Sequence, residues 1–216
     1  MYNNSTFAIL TKKNKMNFDV LIIGGGAAGM SCALVLGSAK NKAFVTDKKI
    51  GVIMHQKASA LANGLFNNVL GLKAGTTGKE ILESGKKQLA ESYPHVTQIE
   101  KEKVTKVEDK KGYFIITTNK NTYEAKTIVV AVGPSNLFAI EGLKQYIEPH
   151  GKLPIKKERI QLKNIEHKVT DGIYVAGVLA GWRSQFAIAA GSGAHIATDI
   201  LTDWNDGNPA MVHDSI

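Results

Sequence analysis

Cysteine is nearly absent from this sequence: Cys32 is the single one in 216 residues. No disulfide can form within the chain, so a reducing compartment, the cytoplasm, is the expected home. A lone thiol also excludes dithiol–disulfide exchange by this chain alone. Uninterrupted apolar runs of membrane length are missing too. Val20–Ala39 carries no charge, but five of its twenty residues are glycine, so no membrane span is expected there. Phe7–Leu10 is too short for the apolar core of a signal peptide and runs into Lys12, Lys13 and Lys15. Aromatic residues make up only 7% of the chain and the basic residues are scattered. The net charge of +8 is therefore a solvated basic surface suited to anionic ligands, and nucleic acid is not an expected partner. No metal-ligand cluster and no internal repeat stands out.

What is present is concentrated in two glycine-rich stretches. In Phe18–Gly37, FDVLIIGGGAAGMSCALVLG, the run Val20–Ile23 reads as a strand buried on both faces of a parallel sheet. Gly24-Gly25-Gly26-Ala27-Ala28-Gly29 then satisfies G-x-G-x-x-G. Gly24 permits the sharp turn, Gly26 clears space for a pyrophosphate, and Gly29 lets the following helix lie close to the sheet. That helix starts near Ala27, and the N–H groups of Ala27 and Ala28 point toward the phosphates. A second strand is expected at Lys42–Thr46. It ends in Asp47, 18 residues past Gly29, where an acid would accept from the hydroxyls of an adenosine ribose. Lys48 is expected beside Asp47 at the cofactor; Asp47 disfavours a 2′-phosphate, and neighbouring Lys48 and Lys49 weaken that. The other stretch, Ile173–Gly193, repeats the strand–glycine–helix order.

Between them, Lys48–Asn68 reads as an irregular segment with a short helix at Ala58–Phe66. Gly51, His55, Gln56 and Asn63 are expected on the carboxyl side of the second strand. Thr77 and Glu80 form a capping box for a helix over Gly78–Ser92. The period then changes to two. Strands are expected at Val96–Ile99, Val104–Glu108, Gly112–Thr118 and Thr122–Lys126, as an antiparallel meander inserted in a parallel framework. Thr127–Val132 is apolar throughout and returns to the buried sheet. Leu137–Thr170 is irregular, with a short strand at Arg159–Leu162. A strand at Gly172–Ala176 and a small-residue helix from Ser184 to Trp204 close the chain. One domain is expected over residues 17–205, with residues 1–16 as a disordered extension and 206–216 as a tail. Met16 is an alternative start.

These motifs, in this order, resemble the flavin-binding domain of thioredoxin-reductase-like FAD-dependent oxidoreductases, from Phe18 to about Leu201. Ile23–Gly29 resembles their FAD fingerprint, with Asp47 in the place of the ribose-binding acid. Val69–Leu89 resembles the loop and helix entering the meander, and Val104 falls where backbone contacts adenine. Ile128–Gly133, IVVAVG, resembles their A-T-G strand end, which places Ala131 and Gly133 at the cofactor. Tyr174–Gly193 resembles the second flavin motif. There Gly177, Val178 and Phe186 line the cofactor, Gln185 stands beside the isoalloxazine, and the helix N-terminus faces its pyrimidine edge. The resemblance implies a Rossmann-like three-layer α/β FAD-binding fold, a parallel sheet with an inserted antiparallel β-meander.

Three departures narrow what it implies. The family inserts an NADPH domain before the last strand, whereas about forty residues separate Gly133 from Ile173 and hold no second G-x-G-x-x-G. The C-x-x-C pair is absent. The family's glycine-aspartate pair is Gly177-Val178, which removes a charge-assisted contact to the cofactor. The readings left open are a flavin oxidoreductase fed by a partner protein or by freely docking NAD(P)H, a non-catalytic FAD-holding module, and a plain NAD-binding domain. No catalytic residue is assigned; His55 is the first candidate and His150 the second, with Trp182 and Arg183 as pocket residues. A flavin face left uncovered is expected to be closed by a homodimer.

Overall fold

A computed structural model describes residues 16–55 and 59–212. The expectation of disorder at the N-terminus lies outside the described residues, apart from Met16, and so does Gln56. In chain order the elements are β1 (Met16–Ile23), α1 (Ala27–Ser38), β2 (Ile50–Met54), β3 (Leu65–Phe66), β4 (Thr76–Thr77) and α2 (Gly78–Ser92). Then come β5 (Thr97–Glu100), β6 (Val104–Asp109), β7 (Phe114–Thr118) and β8 (Thr122–Val130). The chain finishes with β9 (Ile147–Pro149), β10 (Ile160–Leu162), β11 (Lys168–Thr170), β12 (Ile173–Val175) and α3 (Phe186–Trp204).

The central sheet runs β11-β12-β8-β1-β2-β5, and all its pairings from β12 to β5 are parallel. Side chains alternate across it, as the pleat requires. Val20 and Ile22 of β1, Val129 of β8 and Tyr174 of β12 join a core that includes α1 and α3. Leu21, Ile23, Ile128, Val130, Ile173 and Val175 face the other side, against the meander and the segment after β8. That is three layers around one parallel sheet, which explains why β1 and β8 read as unbroken apolar runs.

The meander branches from β8. Its first half pairs antiparallel with β7, its second half pairs parallel with β12, and β1 runs along the whole of its other edge. The separate strands expected at Thr122–Lys126 and Thr127–Val132 are therefore one element. The strand expected at Val96–Ile99 in the meander is β5, Thr97–Glu100, and it pairs parallel with β2 instead. The helix expected at Ala58–Phe66 resolves, over the described residues, into a 3₁₀ turn at Ala60–Asn63 and strand β3. The α2 boundaries and the Thr77–Glu80 capping box agree with the sequence reading.

The largest correction concerns the second strand. Lys42–Thr46 is not a strand; Ala43–Val45 forms a 3₁₀ turn, and β2 lies at Ile50–Met54. A strand buried on both faces needs consecutive buried residues. All five positions of IGVIM are buried, whereas Lys42, Ala43 and Thr46 are exposed. Gly51, read as a loop residue, sits inside β2, where a Cβ would stand 2.6 Å from the Phe18 ring.

Two helices pack closely on the α face. A Cβ on Gly193 would overlap the Ala28 carbonyl, so α3 crosses α1 backbone to backbone. Cys32 is fully buried in α1, and burial pushes its thiol far above the ordinary range. Ala210 and Val212, in the expected tail, pack against this same core. Among the described residues no helix is long and apolar enough to cross a membrane.

Candidate functional site at the carboxyl edge of the sheet

β1 ends at Ile23 and the chain leaves it through Gly24, whose φ of 117° is open to glycine. The Gly24 N–H donates to the Ile53 carbonyl at 2.9 Å, and a Cβ there would stand 2.5 Å from the Ala131 oxygen. The turn is thus wedged between the ends of β2 and β8. Gly29 lies under it, with its Cβ position overlapping the Gly24 carbonyl. Gly26 differs: nothing stands within 4 Å of a Cβ built on it.

Gly26 is also the N-cap of α1, and no side chain caps the helix. The first helical bond is Met30 N–H to the Gly26 carbonyl at 2.9 Å. The N–H groups of Ala27, Ala28 and Gly29 therefore precede the helical ladder, at its positive end. With no acid in the first turn, donors and open space meet at one spot, the arrangement that a pyrophosphate fits.

Other elements converge there. Ala131 N–H donates to the Ile23 carbonyl at 2.8 Å, which fixes the end of β8 beside the turn and directs Gly133 past it. Gly177, with φ of 69°, places its Cβ position 3.1 Å from the Ala28 methyl, and its N–H donates to Ser192 Oγ at 2.7 Å. Strand β12, α1 and α3 are locked together at that point. Gln185 is the exposed N-cap of α3, again without a side-chain cap. Phe186 meets Phe66 edge-on, 5.5 Å between ring centres, so the β3–β4 hairpin closes over the first turn of α3. Val104 starts β6, just after Lys101, whose N–H donates to the Met54 carbonyl at 2.7 Å. Met54 in turn packs on Gly25. The structure thus brings Gly24, Gly26, Ala27, Ala28, Gly29, Ala131, Gly133, Gly177, Val178, Gln185 and Phe186 to one edge, with Val104 at its margin.

Asp47 and Lys48 are not part of this edge. Their assignment rested on Asp47 ending the second strand, but both precede β2. Lys49 follows them, and its carbonyl takes the N–H of Asp19, near the start of β1, at 2.8 Å. Asp47 is exposed at the amino edge, across the sheet from Gly26, and the Lys48 ammonium lies 5.5 Å from the Trp204 ring. The end of β2 carries Met54, then half-buried His55.

His150 turns out to be a positioning group. Its Nδ1 accepts the Lys152 N–H at 3.1 Å, so Nε2 carries the proton and donates to the Val178 carbonyl at 2.9 Å. Buried His150 therefore pins the loop over Gly177–Gly181. Trp182 stacks on buried His167 at 5.2 Å with the rings 14° apart, and Arg183 is exposed. Burial lowers the His167 pKa, against the opposing effect of its bond to the Val175 carbonyl.

Glu102 escaped sequence reasoning. It is buried and accepts from Thr118 Oγ1 at 2.6 Å, Asn121 Nδ2 at 2.7 Å and Tyr123 Oη at 3.0 Å. Burial raises its pKa, but these donors outweigh burial and hold the carboxyl below its usual value. Burial, then the same carboxylate, push Tyr123 up to about 12. The network ties the turn before β6 to the β7–β8 hairpin. The only sequence signal for it is an acid flanked by two turns.

Comparison with known proteins adds a family to this geometry. The profile of the pyridine nucleotide-disulphide oxidoreductase family matches residues 18–191. An uncharacterized oxidoreductase named CzcO from Bacillus velezensis is 27% identical over 143 residues, covering 62% of this chain and 41% of that protein. A ferredoxin–NADP reductase from Limosilactobacillus fermentum is 38% identical over 117 residues, covering 54% of this chain and 34% of that protein. The chain thus spans less than half the length of these curated relatives. Among solved structures, a thioredoxin reductase from Gloeobacter violaceus superposes with a TM-score of 0.70 at 13% identity, covering 94% of this chain and 99% of that one. At that identity the likeness is one of fold.

Proposed function

The chain belongs to the pyridine nucleotide-disulphide oxidoreductase family, and from that premise we propose that it is an FAD-binding oxidoreductase whose electrons come from a partner protein or from freely docking NAD(P)H. One observation carries the reading. Two uncapped helix N-termini, at Gly26 and Gln185, reach the same sheet edge, and Gly177 joins their helices through Ala28 and Ser192. The Gly26 terminus suits a pyrophosphate, and the Gln185 terminus offers a second positive helix end on the same edge to an electron-poor ring.

FAD, when bound, supplies reversible acceptance of electrons at its ring system. The chain's own residues do the rest. The N–H groups of Ala27–Gly29 hold the pyrophosphate in the space beside Gly26, the α3 terminus favours negative charge near the ring, and the His150–Val178 bond fixes the loop between them. Residues 131–172 hold the short strands β9, β10 and β11, two 3₁₀ turns and no second glycine fingerprint, which supports a donor other than a nucleotide seated in this segment.

The test is spectroscopic. The protein, purified and mixed with FAD, is expected to retain a yellow chromophore through gel filtration, and that absorbance is expected to bleach with a reduced donor. A colourless product that takes up no FAD would sink the reading. The alternative is a non-catalytic module that holds FAD, or NAD, as an electron-relay or structural subunit. It is favoured by Val178, which offers no carboxylate, and by His150, whose ring nitrogens are both engaged. Retained flavin that NAD(P)H bleaches would count against it.

A further inference from the structure

The segment that follows β8 builds a surface of its own beside the first turn of α3. The Pro134 carbonyl takes the Ile160 N–H at 3.2 Å, the Asn136 amide donates to Glu158 at 3.3 Å, and His150 reaches Val178. The Lys152 ammonium lies 5.7 Å from the Trp182 ring. Residues 134–138, 150–161 and 178–183 are thereby laced into one face.

Its chemistry is distinctive. Leu137 and Ile155 are 83% and 95% exposed, and Trp182 is 44% exposed. Around them stand Lys152, Lys156, Lys157, Arg159 and Arg183, all exposed, none in an ion pair among the described residues. Glu158 is the single acid from His150 to Ile160, and Asn136 holds it. Exposed apolar anchors inside a rim of one charge form a docking surface, and free cations select a partner with carboxylates. A two-fold dimer through this face would set cation against cation.

We propose that this face docks an acidic protein, at the side of the molecule where α3 begins. The proposal deepens the reading that electrons arrive from another chain and names the charge of that chain's surface. Docking itself needs no flavin, so the two readings fail separately.

The probe is fluorescent poly-L-glutamate, titrated by anisotropy at low and at physiological salt. Wild type is compared with Lys156→Glu/Lys157→Glu/Arg159→Glu and with a control of equal charge change, Lys40→Glu/Lys42→Glu/Lys79→Glu. The face variant is expected to bind about tenfold more weakly, the control within about twofold of wild type. Lys156→Glu alone serves if the triple variant fails to fold, with a loss of about threefold expected. Equal losses in both triples would mean that net charge alone acts, and would overturn the proposal, as would no binding by wild type. So would sedimentation of wild type as a dimer that the face variant dissolves, because the occupant would then be a second copy. FAD uptake, measured on the same samples, is expected to be unchanged by the face variant.

Discussion

The two ends of the central sheet are built from opposite materials. At the amino end, Asp19 accepts from the Lys49 N–H at 2.9 Å and from the Lys126 ammonium at 3.0 Å, with Asp47 and Lys48 close to Lys49 in sequence. There the half-buried carboxylate of Asp19 is matched by the Lys126 ammonium and the Lys49 N–H. At the carboxyl end, the turn from Gly24 to Gly29 carries no charge, yet it leaves the N–H groups at the start of α1 ahead of the helical ladder and open space at Gly26. A charged side chain that already has its partner has little left for a ligand, while an uncapped helix start beside a missing side chain is poised for an anion. The site is therefore set by an uncapped helix start and open space at an uncharged turn, not by paired charges.

Perturbing each end in turn breaks or sharpens that contrast. The largest effect is expected from Gly29→Ala, because the methyl would strike the Gly24 carbonyl rather than a side chain that can move. A loss of about 3 kcal/mol or more is expected, read as a lower urea midpoint by circular dichroism. Next is Val178→Asp, which places a carboxylate where the half-buried valine stands, on a loop already held by His150. FAD is expected to bind about tenfold tighter, measured by fluorescence quenching; an unchanged constant would place the cofactor's sugar chain elsewhere.

At the amino end the effects are smaller and belong to stability. Asp19→Asn loses a charge-assisted acceptor whose cation, Lys126, is 71% exposed, so about 1 kcal/mol is expected at pH 7. Partial burial raises the Asp19 pKa, but the Lys49 N–H and Lys126 outweigh it and leave it lowered. A lowered folded pKa gives stability that is present above the unfolded pKa of about 3.9 and lost as pH falls through the folded value. The gap between the Asp19→Asn variant and wild type is thus expected to narrow as pH falls below the unfolded carboxylate range, in unfolding curves taken across the acid range. The smallest effect is expected from Asp47→Ala. FAD affinity is expected within about twofold of wild type and stability within about 0.5 kcal/mol. A tenfold loss of affinity would restore Asp47 to the site.

Much of the carboxyl edge was legible because its signals are local. A buried strand, a glycine turn and a helix start lie within Val20–Ser38, and the capping box of α2 within four residues. What was misread depends on partners distant in the chain. KAFVT looks like a strand, but IGVIM is the segment that fits between β1 and β5, and its glycine is explained only by the Phe18 ring. β8 looked like two strands because its two halves have different neighbours on one edge. His150 looked like an acid–base candidate; its bond to Val178, 28 residues away, makes it a strut.

The central claim is that the space beside Gly26 is where the cofactor's pyrophosphate lies, and Gly26→Val tests it most directly. Because nothing stands within 4 Å of the built Cβ, the variant is expected to fold, its urea midpoint lowered only by the loss of a favourable N-cap, about 1 kcal/mol or less. In an FAD titration of that same sample, the affinity is expected to fall at least about tenfold, some 1.4 kcal/mol. A folded variant that binds FAD as tightly as wild type would contradict the account.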